Sequence, residues 1–328
     1  MIEKTFKNTL KKYSLVKKGD RILLGVSGGP DSLFMLYQFL AIQKEYRFNF
    51  ICVHLNHTLR KEADDEEQFI KDICSKFKVK FISESKNVGS FFNGDSLEQT
   101  ARNLRFDFFL KCSRETKFKK IALAHHQDDL AETVLMRVIK GVGLKGLRGF
   151  LPKTKFKSLT VIRPLIEVNK QGILNWLESK KIVYCIDKSN LDDNFFRNRI
   201  RLKLIPLLKE LNPNIIDNLS NLAYSACWDY DFVHEEAYKI FRFLKKKETT
   251  KTLNLDLDRL KKLSLGMFNN VIRIAIEELK GNTRRLELRH LDELWDLIRN
   301  RPLGSVVNLP DILIKKEQKL LIIQSLIL

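Results

Sequence analysis

Residues 26–33 read VSGGPDSL, and they lie between two apolar segments, residues 21–25 and residues 33–36. The first segment is short and aliphatic, which is typical of a buried strand. Glycines let the backbone approach an oxyanion, while the amides and the dipole of a following helix attract negative charge. No GK[ST] follows, as in a Walker A loop, and the GxGxxG spacing is missing. The stretch predicts a strand, a phosphate-binding turn and a helix.

Short β-type runs alternate with helical patterns through the first half of the chain. Strands are predicted at 22–26, 50–55, 79–83, 120–124 and 160–162, and helices at 66–77, 97–111 and 170–180. Alternating strands and helices build parallel β-α-β units, hence an open sheet with helices on both faces. Ligands bind beyond the carboxyl ends of the strands in such a sheet.

A second domain is predicted after the break at Asn212-Pro213-Asn214, because 328 residues suffice for two cores. Its predicted strands are 253–257, 305–309 and 320–323, and its predicted helices are 268–280 and 286–299. We predict an α/β domain at residues 1–212 and a smaller α+β domain at residues 213–328, joined by a helix at about 215–244. Residues 245–247, all lysine, should end that helix. Its aromatic residues, such as Trp228 and Phe232, should pack in a core or between domains.

Composition is compatible with a polyanionic partner and argues against several kinds of cysteine site. Lys and Arg exceed Asp and Glu by 59 to 40, for a net charge of +19, which suits nucleic acid or a merely soluble lysine-rich surface equally. Five scattered cysteines without a CxxC pair argue against an iron–sulfur cluster, a zinc ribbon or a disulfide framework. Neither a signal peptide nor a membrane-spanning run is visible, so we expect a cytoplasmic protein without a membrane partner.

The most distinctive polar stretch is HHQDDLAET at residues 125–133, which closes the fourth predicted strand and opens a helix. Asp128 and Asp129 lie four and three residues before Glu132, so the three carboxylates converge over one turn. Acids in a first helical turn also cap the helix and compensate its dipole. Histidines beside aspartates could bind a metal, but we favour an acidic pocket for an ammonium group over zinc.

Other polar residues occupy places where a ligand could be held. His54, Asn56, His57 and Arg60 follow the second strand, although a core histidine is an alternative for His54. Arginines with helical spacing could bind phosphates bidentately or form solvated faces. These arginines are Arg102 and Arg105, on one face with Glu98, and Arg197 with Arg201. Lys145 and Arg148 lie in a glycine-rich stretch that suits a loop closing on RNA or a triphosphate.

The SGGPDS string resembles the SGGxDS loop of the PP-loop ATP pyrophosphatase superfamily, which cleaves ATP to AMP and pyrophosphate to adenylate a carbonyl oxygen. Further motifs resemble the bacterial tRNA(Ile)-lysidine synthetases. They are HLNHTLR at 54–60, EQTARNLRF at 98–106, HHQDDLAETVLMRVIKGVGLKGLRG at 125–149, RPL at 163–165, DKSN at 187–190 and RNRIR at 197–201. The resemblance implies an adenine nucleotide alpha hydrolase-like, Rossmann-type sheet. It also implies ligation of lysine to C2 of the wobble cytidine of a CAU-anticodon tRNA(Ile), with ATP and Mg²⁺.

The same resemblance implies roles for individual residues. ATP is expected to contact Ser27, Gly28, Gly29, Pro30, Asp31, Ser32, His54, Asn56 and His57. Catalytic roles fall to Asp31, Asp128, Arg102 and Arg201, with Asp31 and Asp128 also near Mg²⁺. Free lysine is assigned to Asp129 and Glu132, and tRNA or other phosphates to Arg60, Arg105, Lys145, Arg148 and Arg197.

Three alternatives remain open from the sequence. A PP-loop tRNA thiolase would adenylate a similar carbonyl, but it needs cysteine pairs or a cluster. Another PP-loop adenylating synthetase would not require such a basic surface. A non-catalytic RNA-binding protein with a decayed loop conflicts with the intact SGGPDS and HHQDD strings. A homodimer is possible, and the sequence does not determine it.

Overall fold

The computed structural model describes residues 1–56, 63–87, 97–185 and 195–326. The chain divides into two compact units, Met1–Ala226 and Cys227–Leu328. The division falls inside the helix Ile215–Leu244 instead of at residues 212–213, because the first turns of this helix bury Ile216, Leu219 and Ala223 in a core of the first unit.

The first unit contains a six-stranded sheet and the helices around it. Its strands are β1 (Arg21–Gly25), β2 (Asn49–Asn56), β3 (Phe81–Ser85), β4 (Lys120–Ala122), β5 (Lys153–Phe156) and β6 (Leu159–Ile162). Its helices are α1 (Ile2–Lys12), α2 (Pro30–Tyr46), α3 (Ala63–Lys76), α4 (Leu97–Thr116), α5 (Gln127–Ile139), α6 (Leu144–Leu147), α7 (Lys170–Ser179), α8 (Phe196–Arg199) and α9 (Ile205–Leu211). The helix α10 (Ile215–Leu244) follows, and a π-helical turn, Ile200–Leu204, joins α8 to α9.

The sheet order is β3-β2-β1-β4-β6-β5, and every neighbouring pair is parallel except β5 with β6. This confirms the predicted open, mostly parallel sheet. The prediction missed β5, a short lysine-containing edge strand, and placed β3 two residues too early. The strand order reverses at β1, so the carboxyl ends of β1 and β4 border the crevice where such sheets bind ligands.

Helices cover both faces of this sheet, as the alternation along β1 requires. Ile22 and Leu24 face the side on which α2 packs, whereas Leu23 faces the side on which α4 packs. Complete burial of one such side chain contributes about 2 kcal/mol. The crevice is therefore lined from α2 on one face and from α4 on the other.

The second unit has an antiparallel sheet of order β7-β8-β11-β10-β9. Its strands are β7 (Lys245–Glu248), β8 (Thr252–Asp256), β9 (Val306–Leu309), β10 (Ile312–Lys316) and β11 (Leu320–Ser325), and its helices are α11 (Leu257–Leu260), α12 (Leu265–Lys280) and α13 (Leu288–Arg299). The predicted α+β class is confirmed, although β7 and β10 were missed. The lysine run follows the end of α10 but forms the edge strand β7, a position where lysine is common.

The aromatic residues of α10 were predicted to pack in a core or between domains, and most of them lie outside the cores of the described residues. Trp228 and Phe232 are each 69% exposed, and only Phe241 joins the core of the second unit. Among the helices of the described residues, none is both long and apolar enough to span a bilayer.

Candidate active site

The SGGPDS turn follows β1 directly and is closed by its own serines. The Ser32 hydroxyl donates to the Gly29 carbonyl at 2.9 Å and accepts from the Ser27 amide at 3.1 Å. Gly28 has φ +81°, a left-handed conformation that favours glycine. Gly29 is the N-cap of α2 and Pro30 is in its first turn, so the first amides of α2, including that of Asp31, lack partners within the helix. This geometry suits an oxyanion.

Cys185 borders this turn, which the sequence did not reveal. Its amide donates to the Gly28 carbonyl at 3.0 Å, and a Cβ atom on Gly28 would lie 3.3 Å from Cys185 Sγ. Burial, together with the charge of Glu66, raises the pKa of the Cys185 thiol. The group therefore stays a thiol at neutral pH.

His54 and Asn56 lie in β2, beside the turn, and both are buried. His54 Nδ1 lies 2.8 Å from the carbonyl of Val26, so Nδ1 carries the proton and donates. Burial lowers the pKa of His54, which keeps the ring neutral. Asn56 Nδ2 donates to Asp64 Oδ1 at 2.9 Å, which joins β2 to α3. His57 and Arg60 lie outside the described residues, as do residues 187–190.

Lys170 connects the turn to the start of α5. Its Nζ lies 2.6 Å from Asp31 Oδ1, and its backbone amide donates to Asp128 Oδ2 at 2.7 Å. Burial would raise the pKa of Asp128, but His126 and the Lys170 amide hold it below its usual value. Lys170 was not predicted as a site residue, because only the fold brings α7 beside both acids.

His126 is the N-cap of α5 and lies among three aspartates. Its backbone amide donates to Asp129 Oδ2 at 3.0 Å, and its ring nitrogens lie 3.5–3.7 Å from oxygens of Asp31, Asp128 and Asp129. Burial alone would lower the pKa of His126, but the charges of Asp129, Asp31 and Asp128 raise it above 6.5. The acidic surroundings therefore favour the protonated form of the ring.

Arg197 and Arg201 bind the two acids that the sequence assigned to lysine. Arg197 Nε lies 2.7 Å from Glu132 Oε2, and its Nη2 lies 2.9 Å from Asp129 Oδ1. Arg201 donates through Nε to Glu132 Oε1 at 2.6 Å. Glu132 is 1% exposed. Burial would raise the pKa of Asp129, but His126 and Arg197 hold it far below its usual range.

A family model for the PP-loop domain matches residues 1–208. A tRNA(Ile)-lysidine synthase of Petrotoga mobilis is 36% identical over 230 residues, 70% of this chain and 72% of that protein. The chain belongs to the tRNA(Ile)-lysidine synthase family of PP-loop proteins. Its relative from Clostridioides difficile is 32% identical over 307 residues, 92% of this chain. The chain spans just under two thirds of that longer relative, 66% of its length.

The fold of this PP-loop family member is shared with a solved U34-tRNA thiolase from Methanococcus maripaludis. The TM-score is 0.58 at 19% sequence identity, over 68% of this chain and 78% of that chain. At this identity the likeness concerns the fold alone.

Arg163 and Arg105 add positive charge to the surroundings of His125. Arg163 Cζ lies 5.3 Å from the ring centroid of Phe150, which is also 5.3 Å from the His125 ring. Arg102 is exposed and lies over Phe106 at 5.3 Å. Burial lowers the pKa of His125 to about 3, with Arg163, Arg197 and Arg105 acting in the same direction against Asp129. The sequence had not singled out Arg163 as a site residue.

The glycine-rich stretch of this PP-loop protein is folded onto α5. Arg137 Nη1 donates to the carbonyls of Gly146 and Gly149, each at 2.6 Å. A Cβ atom on Gly149 would lie 2.3 Å from Leu130, and its φ of +61° also favours glycine. Lys145 is exposed on α6, and Arg148 is its half-buried C-cap. The predicted closing loop is thus a short helix held by Arg137.

Asp31 and Asp128 are two carboxylates that approach the His126 ring at 3.7 and 3.6 Å, and Asp31 Oδ1 is paired with Lys170 Nζ. Within the described ranges, no group of three His, Cys, Asp or Glu residues is arranged to hold a metal by itself. Magnesium is commonly held by one or two carboxylates together with substrate phosphates. The donor chemistry therefore suits Mg²⁺ that arrives with a nucleotide.

Proposed function

We propose that this protein ligates lysine to C2 of the wobble cytidine of a CAU-anticodon tRNA(Ile). The reaction consumes ATP and releases AMP and pyrophosphate. The observation that carries this proposal is the junction at β1 and β4, where an oxyanion-binding turn lies beside a cluster of acids and arginines. The names of the curated relatives support the same reaction.

In the first step, O2 of cytidine attacks the α-phosphorus of ATP, and pyrophosphate leaves. The SGGPDS turn would hold the triphosphate through the amides of Gly28 and Gly29 and the hydroxyls of Ser27 and Ser32. His54 would support the turn through Val26. Asp31 and Asp128 would hold Mg²⁺, which neutralises phosphate charge when bound.

In the second step, the ε-amine of lysine attacks C2 and AMP leaves with the former O2. Asp129 and Glu132 are the proposed lysine ligands, yet each is paired with Arg197 and Arg201 in this structure. The negative charge of the adenylate offers these arginines a second anion, because guanidinium groups bind phosphate as well as carboxylate. Their movement would release the acids for lysine. Adenylation would therefore precede productive lysine binding.

A sulfur-transfer function is the second candidate, and Cys185 is the observation that favours it. Its raised pKa and the burial of Cys52, Cys74 and Cys112 argue against a reactive cysteine pair. The lysine ligase remains the better proposal. The basic second unit would contact other parts of the tRNA, and the homodimer stays a prediction.

The decisive experiment measures labelled lysine incorporated into an unmodified CAU-anticodon tRNA(Ile) transcript, with ATP and Mg²⁺. A transcript with uridine at the wobble position is the matched control. We expect transfer to the first RNA alone. Pyrophosphate release without lysine transfer would contradict lysine as the nucleophile.

The Asp129→Ala variant tests the assignment of the two steps. Because Asp129 is proposed for lysine, this variant should lose lysine transfer while RNA adenylation, followed with labelled ATP, persists. Equal loss of both steps would contradict the assignment.

A further inference from the structure

Arg163 is a buried cation without a carboxylate partner. It is 6% exposed, and its Nη1 donates to the Leu151 carbonyl at 2.6 Å and to Thr154 Oγ1 at 3.2 Å. No ion pair involves Arg163 within the residues that the structure describes. Buried charges are normally paired, so this arrangement is unusual.

One edge of the Arg163 guanidinium is left without acceptors. The Nε atom is buried and has no hydrogen-bond partner, and Nη2 makes no hydrogen bond to the described part of the chain. These two nitrogens form the edge that binds an oxyanion through two parallel hydrogen bonds. The Nη1 contacts and the Phe150 ring hold the group in place, so the free edge has a fixed direction.

The surroundings of Arg163 add positive charge instead of compensating it. Burial, with a contribution from Arg102, lowers the pKa of Arg163 to about 10. Arg102 itself forms no ion pair among the described residues, and Arg105 acts on the neighbouring His125. A cluster of arginines suits a phosphate better than an amino-acid carboxylate, whose ammonium group also needs an acid.

The strand order separates Arg163 from the nucleotide turn. The turn follows β1, Arg163 follows β6, and β4 lies between these two strands. Neighbouring strands are about 4.8 Å apart, so Arg163 begins two strand spacings from the turn. Arg163 and the nucleotide turn therefore lie on opposite sides of β4.

We propose that the Nε and Nη2 edge of Arg163 binds a backbone phosphate of the RNA acceptor, next to the reacting cytidine. This inference rests on the proposed function, because it takes the acceptor to be RNA. The contact would fix the position of the nucleotide without reading its base, as phosphate contacts do. Arg163 is thus a positioning residue for the acceptor.

The test is a binding titration of a CAU anticodon stem-loop RNA in which each loop phosphate in turn is replaced by a neutral methylphosphonate. Affinity is measured by fluorescence anisotropy for the wild type and for Arg163→Lys. This variant keeps the positive charge but loses the two parallel donors of the guanidinium edge. The exposed Arg114 of α4 provides the matched control, Arg114→Lys. Circular dichroism checks that each variant is folded.

With the wild type, neutralising one particular phosphate should weaken RNA binding about tenfold. It should also lower the steepness of log binding constant against log salt concentration by about 0.7. With Arg163→Lys, the same phosphate replacement should weaken RNA binding less than threefold. The KM values of this variant for ATP and lysine should stay within twofold of the wild-type values. A uniform methylphosphonate profile in the wild type would overturn the proposal even if Arg163→Lys unfolds. A raised KM for lysine or ATP with unchanged RNA affinity would assign the edge to that substrate instead.

The binding assay needs neither ATP nor lysine, so its result is independent of the ligation reaction. Failure of lysine transfer with an intact phosphate contact would refute the proposed function alone. Successful transfer with a uniform phosphate profile would refute the role of Arg163 alone.

Discussion

His125 and His126 are adjacent at the end of β4, yet their surroundings have opposite charge. His126 lies among Asp31, Asp128 and Asp129, which raise its pKa above 6.5. The pKa of His125 is lowered to about 3 by burial, with Arg163, Arg197 and Arg105 acting in the same direction. Successive residues of an extended segment point in opposite directions, so this dipeptide borders two electrostatic compartments, although Asp129 acts on both histidines.

The two compartments differ in how their charge is compensated. On the His126 side, Lys170, Arg197 and Arg201 pair with the acids at 2.6–3.3 Å. On the His125 side, Arg163 has no acid partner in the described ranges and keeps a free Nε. A compensated cluster needs no ligand to balance its charge, whereas an uncompensated one can take its counter-charge from a ligand.

The largest effect is expected from Glu132→Ala on the compensated side. Two half-buried arginines would each lose one of their two carboxylate partners, so the free energy of unfolding should fall by about 2–3 kcal/mol in urea denaturation. The control is Glu45→Ala, which removes an exposed pair with Lys7 and should cost less than about 1 kcal/mol. Similar losses in the two variants would refute the special stability of this cluster.

A smaller effect is expected from the pH dependence of His125→Asn. Folded His125 titrates near 3 and an unfolded histidine near 6.5, so the folded state binds fewer protons between these values. His125 thus contributes stability above pH 6.5 that is lost as pH falls. Between about pH 7.5 and 5 the wild type should lose about 2 kcal/mol relative to the variant. Parallel stability curves in urea denaturation would show that His125 is not held neutral.

The smallest effect on stability should come from Arg102→Gln on the uncompensated side. Removing a cation near Arg163 should leave the free energy of unfolding unchanged or raise it by about 0.5 kcal/mol. Affinity for the anticodon stem-loop should nevertheless fall, because a cation near the proposed phosphate is lost. Arg114→Gln makes the same charge change elsewhere on α4. If both variants lost RNA affinity equally, the effect of Arg102 would come from net charge alone and not from its position.

The sequence predicted the parallel sheet because its strands are short, aliphatic and separated by helical patterns. It did not predict β5 or β7, because lysine-rich edge strands lack an apolar run, and it did not predict β10, whose three apolar residues are followed by two lysines. It also misjudged Trp228 and Phe232, since aromatic residues at helical spacing look alike whether a helix face is covered or exposed. Whether a segment forms an edge strand, or a helix face is exposed, depends on the elements that pack against it in the fold.

The site was predictable to the extent that it is local. The SGGPDS turn and the acids of α5 were visible as contiguous strings, and their neighbourhood followed from the rule for parallel sheets. The pairing of Glu132 with Arg197 and Arg201 joins residues more than sixty positions apart, and that of Asp31 with Lys170 joins residues 139 apart. The spacing of residues along the sequence does not indicate such long-range contacts. Arg163 was missed for the same reason.

The π-helical turn at Ile200–Leu204 has a consequence for the length of this segment. A π turn holds one residue more than the α-helical turn it replaces, so it acts as an accommodated insertion. Deleting one residue between Arg197 and Arg201 would restore a regular helix and rotate the second guanidinium by about 100° around the axis. Glu132 would keep one arginine and lose the other. The number of residues in this helix, and not only their identity, thus determines whether both arginines reach Glu132.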